Sequence, residues 1–349
     1  MAGEITGREI IVALKKAAIW HTPVACGAGD GLLILSDGIK PDIDSELDDS
    51  AGQAWIKEAD PGVMTVAGNI EAYMRYEGFD TTLALIMGVA GVPVQINTTA
   101  AYANSYKLAS KIDTLFATLA MKKLAATVWE FPSVKLNGFK LSGVMNKPLK
   151  ISPDLLCDKL DRKSEVNTAT TMGAVTVPDS KNRIIMNKDT VFRMNNQAAV
   201  ALSDGDKIAP SSFELTFSRP MDAEATAGQE GIEEPADDGF PVATLNLKFP
   251  RYNTANDAFF DDWEAYTSKK MDITFTGHEI ESGNKYLFRI LLPHLKINNP
   301  EAAMSGPGKI PFSMQLNILG AEAAPEGMTG LVEPMQIDVV NKRTTDPLA

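Results

Sequence analysis

Polar and apolar residues alternate in several short stretches of the chain. In segments 213–218, 244–249 and 271–276, every second residue is apolar. A period of two is typical of a strand that buries one face, because successive side chains point to opposite sides of a sheet. Segments 32–35 and 63–76 add apolar runs with β-branched and aromatic residues. The pattern predicts a mainly β protein, built as a sandwich or a barrel.

Two short helices are predicted between these strands. One covers about 80–87 and begins at Asp80, and the other covers about 257–268 and begins at Asp257. Aspartate is a good N-cap, because its carboxylate accepts a hydrogen bond from a free backbone N–H of the first turn. We therefore expect one short helix beside each group of strands.

Four short motifs recur in the same order in both halves of the chain. The pairs are 35–40 and 202–207 (LSDGIK, LSDGDK), 74–76 and 250–252 (MRY, PRY), 132–137 and 293–298 (PSVKLN, PHLKIN), and 142–143 and 305–306 (SG in both). One such match arises easily by chance, but four in order at similar offsets indicate an internal duplication.

The duplication predicts two tandem β-sandwich or barrel domains. The first covers residues 1–160, including an N-terminal arm, and the second covers residues 181–349, including a C-terminal extension. Residues 161–180 between them are polar and rich in Ser, Thr and Asn, which is typical of a linker. The length of the chain suits two domains of ordinary size.

Two segments concentrate negative charge. Each lies between predicted strands, and we expect both to be mobile loops in the free subunit, because like charges repel and stay solvated. Their acids are Asp42, Asp44, Glu46, Asp48 and Asp49 in the first, and Asp222, Glu224, Glu230, Glu233, Glu234, Asp237 and Asp238 in the second. The second segment, 220–239, contains no base, so we expect it not to pack on its own chain but to meet Lys or Arg of a neighbouring subunit.

Composition excludes several classes of function. The formal net charge of −12 argues against tight binding to phosphate, which needs clustered Lys and Arg. Cys26 and Cys157 are far apart and predict neither a disulfide framework nor a metal site. We see no signal peptide and no apolar stretch long enough for a membrane span. An aromatic content of 7% does not favour a sugar-binding surface.

Motifs for catalysis or metal binding are incomplete. Residues 27–31 (GAGDG) look like a phosphate loop, but a predicted strand follows them instead of a helix. His278 and Glu279 begin a zinc-helix motif whose second His is absent, and residues 42–48 lack the glycine and closing glutamate of a calcium loop. We predict no enzyme activity, no cofactor and no metal.

Several segments together resemble the tail tube proteins of siphophage-type bacteriophages. They are 116–123 (FATLAMKK), 128–139 (VWEFPSVKLNGF), 149–152 (LKIS), 213–220 (FELTFSRP), 270–277 (KMDITFTG) and 341–349 (NKRTTDPLA). The resemblance implies a β-sandwich or barrel domain with one flanking helix, assembled into stacked rings around a DNA channel. It offers no catalytic residues.

The resemblance also implies partners and a location. The chain would contact itself within and between rings, and other tail proteins such as the tape measure, the tail terminator and the baseplate. It would belong to the virion tail, and to the host cytoplasm before assembly. DNA would pass without tight binding, and no membrane would be involved.

A duplicated chain would build a six-domain ring from three copies. The net charge further predicts a predominantly acidic channel, because a basic wall would hold the passing DNA. Two alternatives stay open at this point: another ring-forming tail protein, of the baseplate or tail completion type, and a tandem β-sandwich binding module.

Overall fold

The computed structural model of the chain describes residues 6–228, 230–304 and 306–349 and is mainly β, as the alternation predicts. The strands up to residue 160, here the first half, are β1 (Ile11–Ala17), β2 (Gly31–Leu32), β3 (Ile34–Asp37), β4 (Lys40–Leu47), β5 (Ala59–Tyr73), β6 (Gly88–Ala90), β7 (Val94–Gln95), β8 (Tyr102–Leu108), β9 (Phe116–Lys122), β10 (Val128–Val144) and β11 (Lys150–Cys157).

The strands after residue 180, here the second half, are β12 (Val191–Asn196), β13 (Lys207–Ile208), β14 (Ser212–Ser218), β15 (Met221–Asp222), β16 (Ala236–Asp237), β17 (Val242–Phe249), β18 (Lys269–Glu281), β19 (Asn284–Glu301), β20 (Phe312–Leu319) and β21 (Gln336–Asn341). The helices are α1 (Asp80–Met87), α2 (Ala169–Gly173) and α3 (Thr254–Glu264), and a 3₁₀ turn covers Asp204–Asp206.

Eight strands form one continuous antiparallel sheet that runs through both halves. Their order is β4–β5–β11–β10–β14–β17–β20–β19, and β3 also pairs with β5. We call this the long sheet. Where the sheet covers the core its strands bury every second side chain, as in the pattern of β14, whereas β4 is exposed along its whole length.

A second layer covers the apolar face of the long sheet. In the first half it consists of β2, β1, β9 and the N-terminal part of β10. In the second half it consists of β13, β12, β18, the N-terminal part of β19 and β21, and strands β8, β6 and β7 of the first half extend it beyond β21. Since β10 and β19 have 17 and 18 residues, each reaches from one layer into the other and joins the layers of its own sandwich.

The two halves repeat the same order of strand pairs. A hairpin, β9–β10 or β18–β19, is followed by β11 or β20, and β5 or β17 pairs beside it. A bulge interrupts β10–β11 between Leu136 and Gly138, and β19–β20 between Ile297 and Asn299. Motifs 132–137 and 293–298 therefore lie at equivalent places, and α1 and α3 each lie between the β5 or β17 strand and the next hairpin.

The motif at 35–40 does not correspond to the one at 202–207. The first lies along β3 and β4 beside β5, whereas the second contains the 3₁₀ turn before β13. Strand pairing aligns 36–42 with 212–218 instead, because Lys40 faces Ala67 of β5 as Thr216 faces Thr244 of β17. Of the match between 142–143 and 305–306, Ser305 lies outside the described residues.

The helices differ from prediction in their starts and number. Helix α1 begins at Asp80, but Phe79 is the N-cap, and the buried Asp80 accepts hydrogen bonds from Tyr106 and Asn341. Helix α3 begins one turn earlier than predicted, at Thr254, because Asn253 accepts the capping bond from the Asn256 N–H. The helix α2 was not predicted.

Helix α2 lies in the polar segment 161–180, which packs against the first half. Met172 and Asn167 are fully buried. The Asn167 amide donates to the buried Glu130 carboxylate and accepts from the Cys26 N–H. These bonds satisfy polar groups of both the segment and the first half, so the segment forms part of the folded structure here.

The core of the second half contains a cluster of phenylalanines. The ring centroid of Phe275 lies 6.4 Å from that of Phe192, 5.9 Å from that of Phe213 and 6.1 Å from that of Phe288. All four side chains are nearly inaccessible to solvent. Tilted and edge-on aromatic pairs of this kind stabilise a core beyond their buried area.

We expect Phe275→Ala to lower the free energy of unfolding by about 3–5 kcal/mol, because it removes buried surface and leaves a cavity. Phe240, whose side chain is 92% exposed, provides the control, and Phe240→Ala should change stability by less than about 0.5 kcal/mol. Guanidinium chloride unfolding followed by circular dichroism measures both. A change in unfolding free energy for Phe275→Ala as small as that for Phe240→Ala would show that Phe275 does not contribute to the core.

Candidate assembly surfaces

The outward face of the long sheet is polar and carries charges of both signs. Lys140 pairs with Glu214 at 2.7 Å, and Lys150 pairs with Glu71 at 2.6 Å. The neutral side chains on this face include Asn69, Ser142, Ser152, Thr216, Thr244, Asn246, Ser313, Gln315 and Asn317. The face therefore carries charges of both signs among mostly neutral side chains.

In the long sheet the two halves meet where β10 pairs with β14, and in the second layer they meet where β21 pairs with β8. Seven residue pairs join β10 to β14, from Gly138 opposite Ser218 to Val144 opposite Ser212. The long sheet ends at β4 on one side and at the C-terminal part of β19 on the other. In the described ranges, neither end has a further partner strand. Unpaired strand edges expose backbone N–H and C=O groups and are sites at which another chain can add a strand.

The second acidic segment, 220–239, folds back over the first half, and we call it the acidic flap. The expectation that it does not pack on its own chain is wrong. Ile232 is 3% exposed, its carbonyl accepts a hydrogen bond from the Trp20 indole, and its N–H donates to the Asp158 carbonyl. Strands β15 and β16 pair at its base, so the flap is a small hairpin.

Bases of the same chain neutralise three of the seven acids in the flap. Glu234 accepts from the Lys135 ammonium at 2.5 Å and from the Thr114 N–H at 2.7 Å. Glu230 pairs with Lys159, and Asp237 lies 3.5 Å from the guanidinium of Arg219. Lys135 and Arg219 are each 1% exposed, and burial lowers the pKa of Arg219. Asp222 and Asp238 are exposed, and Glu224 and Glu233 lie beside them on the flap.

The first acidic segment is a regular β-hairpin rather than a mobile loop. Strand β4 pairs with β5 from Lys40 opposite Ala67 to Leu47 opposite Ala59. We call residues 40–67 the acidic hairpin. Asp42, Asp44 and Glu46 lie on β4, whereas Asp48 and Asp49 follow it, and all five are exposed. The hairpin also exposes four apolar side chains, those of Ile43, Leu47, Trp55 and Ile56.

Sequence reasoning missed the side chains on which the flap rests. Trp20, Lys135, Lys159 and Arg219 lie at unrelated places along the chain, and each is unremarkable in sequence. Beside them, His21 Nδ1 lies 3.3 Å from the buried Asp158 carboxylate, which also accepts from the Ser133 N–H. Burial raises the pKa of Asp158. These contacts make the region under the flap a polar, closely bonded part of the subunit.

The described residues do not assemble a metal site, and the sequence motifs considered for metal or phosphate binding lie apart from one another. The described residues contain no cluster of three or more His, Cys, Asp or Glu that could hold a metal ion. Residues 27–31 form a turn into β2, and His278 packs on the ring of Tyr286. Cys26 and Cys157 are buried free thiols, and burial raises the pKa of Cys26 to about 12. No helix in the described ranges has the length and apolarity needed to cross a membrane.

We expect Glu234→Ala to lower the free energy of unfolding by about 1–3 kcal/mol, because it leaves the buried Lys135 ammonium without its carboxylate partner. Asp238→Ala in the same flap is the control and should be nearly neutral, since Asp238 is exposed. Thermal unfolding with and without added salt measures the difference. Two equally neutral variants would show that the flap does not depend on this ion pair.

Comparison with known proteins identifies the family. A family model described as phage tail tube protein matches residues 7–318, which is most of the chain. No curated protein matches. The chain therefore belongs to the phage tail tube protein family, and its role is structural, in the tail of a bacteriophage virion.

Proposed function

We propose that this member of the phage tail tube protein family polymerises as stacked rings that conduct DNA through the tail. Family membership gives the tube role, and the free edges of the long sheet give the means of assembly. Strand addition at these edges would pair every backbone group along the joint and remove the edges from solvent. The free edges of the long sheet are the single structural observation that carries the proposal.

The chain is proposed to contain two copies of the tube domain, within residues 1–160 and 181–349, joined by residues 161–180. The repeated order of strand pairs and the bulge at the same place in β10–β11 and β19–β20 support this. The joint between β10 and β14 is then a joint between two neighbouring domains of the ring.

The proposed duplication supports three chains per ring, and the size of the closed sheet is compatible with this number. Each chain brings eight strands of the long sheet, so three chains bring twenty-four. At about 4.8 Å between strands and a tilt of about 40°, such a sheet closes with a diameter of about 48 Å. Barrels of sixteen to eighteen strands already hold an aqueous channel, so this one has room for a DNA duplex.

The polar face of the long sheet is proposed as the channel wall. Two of its lysines are paired with glutamates, in Lys140–Glu214 and Lys150–Glu71, and neutral side chains lie between these pairs. A wall of this kind offers no cluster of free cations, so the DNA backbone would release few counterions on contact. DNA would then slide past without tight binding.

The remaining partners follow from the position of a tube in the tail. We propose contacts with the tape measure inside the tube, and with the tail terminator and the baseplate at its ends. The subunit would be present in the host cytoplasm before assembly. A purely structural protein needs no cofactor, and we expect none to be required for polymerisation.

Electron microscopy of the purified full-length chain tests the tube. We expect long hollow polymers whose averaged cross-section shows three identical chains and a sixfold-like outline. Six whole chains per ring would double the strand count and the diameter and would contradict the duplication argument. Isolated rings without stacking would favour a baseplate or tail completion role, and a monomer under all assembly conditions would oppose the proposal.

A cysteine pair tests how the ring closes. If the β10–β14 joint is repeated between chains, residues 37–42 of one chain pair with residues 299–304 of the next, and Lys40 lies opposite Glu301. Directly opposed residues lie close enough for a disulfide. We expect the variant with Lys40→Cys and Glu301→Cys to form disulfide-linked species up to three chains.

The matched control is the equivalent pair within one chain. Lys140 lies opposite Thr216, so Lys140→Cys with Thr216→Cys should form a disulfide without joining chains. Electrophoresis without reductant separates the two cases, and the native Cys26 and Cys157 are buried. Linked species that continue beyond three chains would exclude a three-chain ring.

A further inference from the structure

We propose that the outer part of the acidic hairpin, residues 44–62, docks on the second half of the neighbouring chain in the ring, with Ile56 and Glu58 as its anchors and Lys296 as the partner of Glu58. The contact copies the way in which the acidic flap docks on the first half of its own chain. This inference rests on the proposed ring, and it adds an interaction surface to it.

The acidic hairpin and the acidic flap occupy the same position in the repeated strand order. The hairpin connects β4 to β5, and the flap connects β14 to β17. In the hairpin Ser45 lies opposite Pro61 and Glu46 opposite Asp60; in the flap Met221 lies opposite Asp237 and Asp222 opposite Ala236. The same difference in residue number relates each of these four hairpin residues to its counterpart in the flap.

The same offset aligns the anchoring residues. It places residues 56–58, with the sequence Ile-Lys-Glu, on residues 232–234, with the sequence Ile-Glu-Glu. In the flap, Ile232 is buried and Glu234 binds Lys135. In the hairpin, Ile56 is 54% exposed and the adjacent Trp55 is 79% exposed. The isoleucine of this segment is therefore buried in the flap and exposed in the hairpin.

The receiving surface also has a counterpart in the second half. Lys296 holds the place of Lys135, since both are the fourth residue of the repeated motif at 132–137 and 293–298. Tyr266 holds the place of Thr114, and both have a positive φ, 52° and 62°. The Thr114 N–H and Lys135 bind Glu234, whereas Lys296 lies over the exposed ring of Tyr266 and donates to its carbonyl.

An open groove lies beside Lys296, where the first half holds Ile232. It is lined by Ala199, Ser268, His294, Gly320, Glu322 and Glu326. His294 corresponds to Ser133, which lies under the flap beside His21 and Asp158. The groove is the proposed receptor for Ile56 of a second copy of the chain.

Charge and continuity favour this occupant. Glu58 would face Lys296 in the same way as Glu234 of the flap faces Lys135. The hairpin is also the direct continuation of residues 37–42, the strand edge proposed to pair with residues 299–304 of the next chain. A chain that makes this edge contact carries its hairpin to the neighbour's second half, just as β14 carries the flap to the first half.

Charge reversal tests the ion pair. We expect Glu58→Lys and Lys296→Glu each to raise the protein concentration needed for half-maximal assembly by about tenfold, and the double variant to recover most of the loss. Glu46→Lys is the matched control, because Glu46 corresponds to Asp222, which is exposed in the flap. Sedimentation and electron microscopy measure assembly, and circular dichroism confirms that each variant is folded.

Chemical crosslinking locates the contact. A short bismaleimide should join chains in the variant with Glu58→Cys and Lys296→Cys, and should react only within a chain in the variant with Lys135→Cys and Glu234→Cys. Unchanged assembly of both charge variants, or failure of the first crosslink within assembled tubes, would overturn the docking proposal. If the Lys40 and Glu301 cysteines still link three chains in that case, the ring stands and only the hairpin contact is wrong.

Discussion

The backbone pairing between β10 and β14 is the constraint on which the rest of the molecule depends. Seven residue pairs join strands that belong to different halves of the chain, and they turn two four-stranded sheets into one sheet of eight. Without this joint, both halves would present an unpaired edge at the centre of the chain, where exposed N–H and C=O groups favour uncontrolled association. With it, the free edges lie only at the two ends of the sheet.

The long strands β10 and β19 connect the long sheet, which contains this joint, to the second layer. Each strand begins in the second layer and ends in the long sheet. The bulge at Asn137 in β10 and at Asn298 in β19 lies in the part of the strand that belongs to the long sheet. A bulge bends a strand and increases its twist. The apolar core runs through both halves, and the joint contributes to it, because the buried Phe139 and Phe217 lie on opposite sides of the joint with their ring centroids 5.9 Å apart.

Local patterns in the sequence predict the strands well, and distant contacts explain where prediction stops. Alternation at 213–218 and 244–249 identifies β14 and β17, but no pattern reveals that β14 pairs with β10, which is more than sixty residues away. The sequence predicts a solvated loop for the flap, because its acids have no base nearby in sequence. Their partners Lys135 and Lys159 come from the first half, and only the folded chain brings them close.

The contrast between the flap and the hairpin indicates how one chain separates folding from assembly. A covalent link places the flap beside Lys135 at a high effective concentration, so a contact that buries a lysine forms within the single chain. The equivalent hairpin has no such link to its proposed partner, and Ile56 and the five acids at 42–49 stay exposed. Because each subunit has a net charge of −12, electrostatic repulsion opposes non-specific association between subunits. In the proposed ring, assembly would need the strand edges and the hairpin to engage together, and a head-to-tail contact of this kind would close into a ring only if each joint repeated the geometry of the joint within the chain.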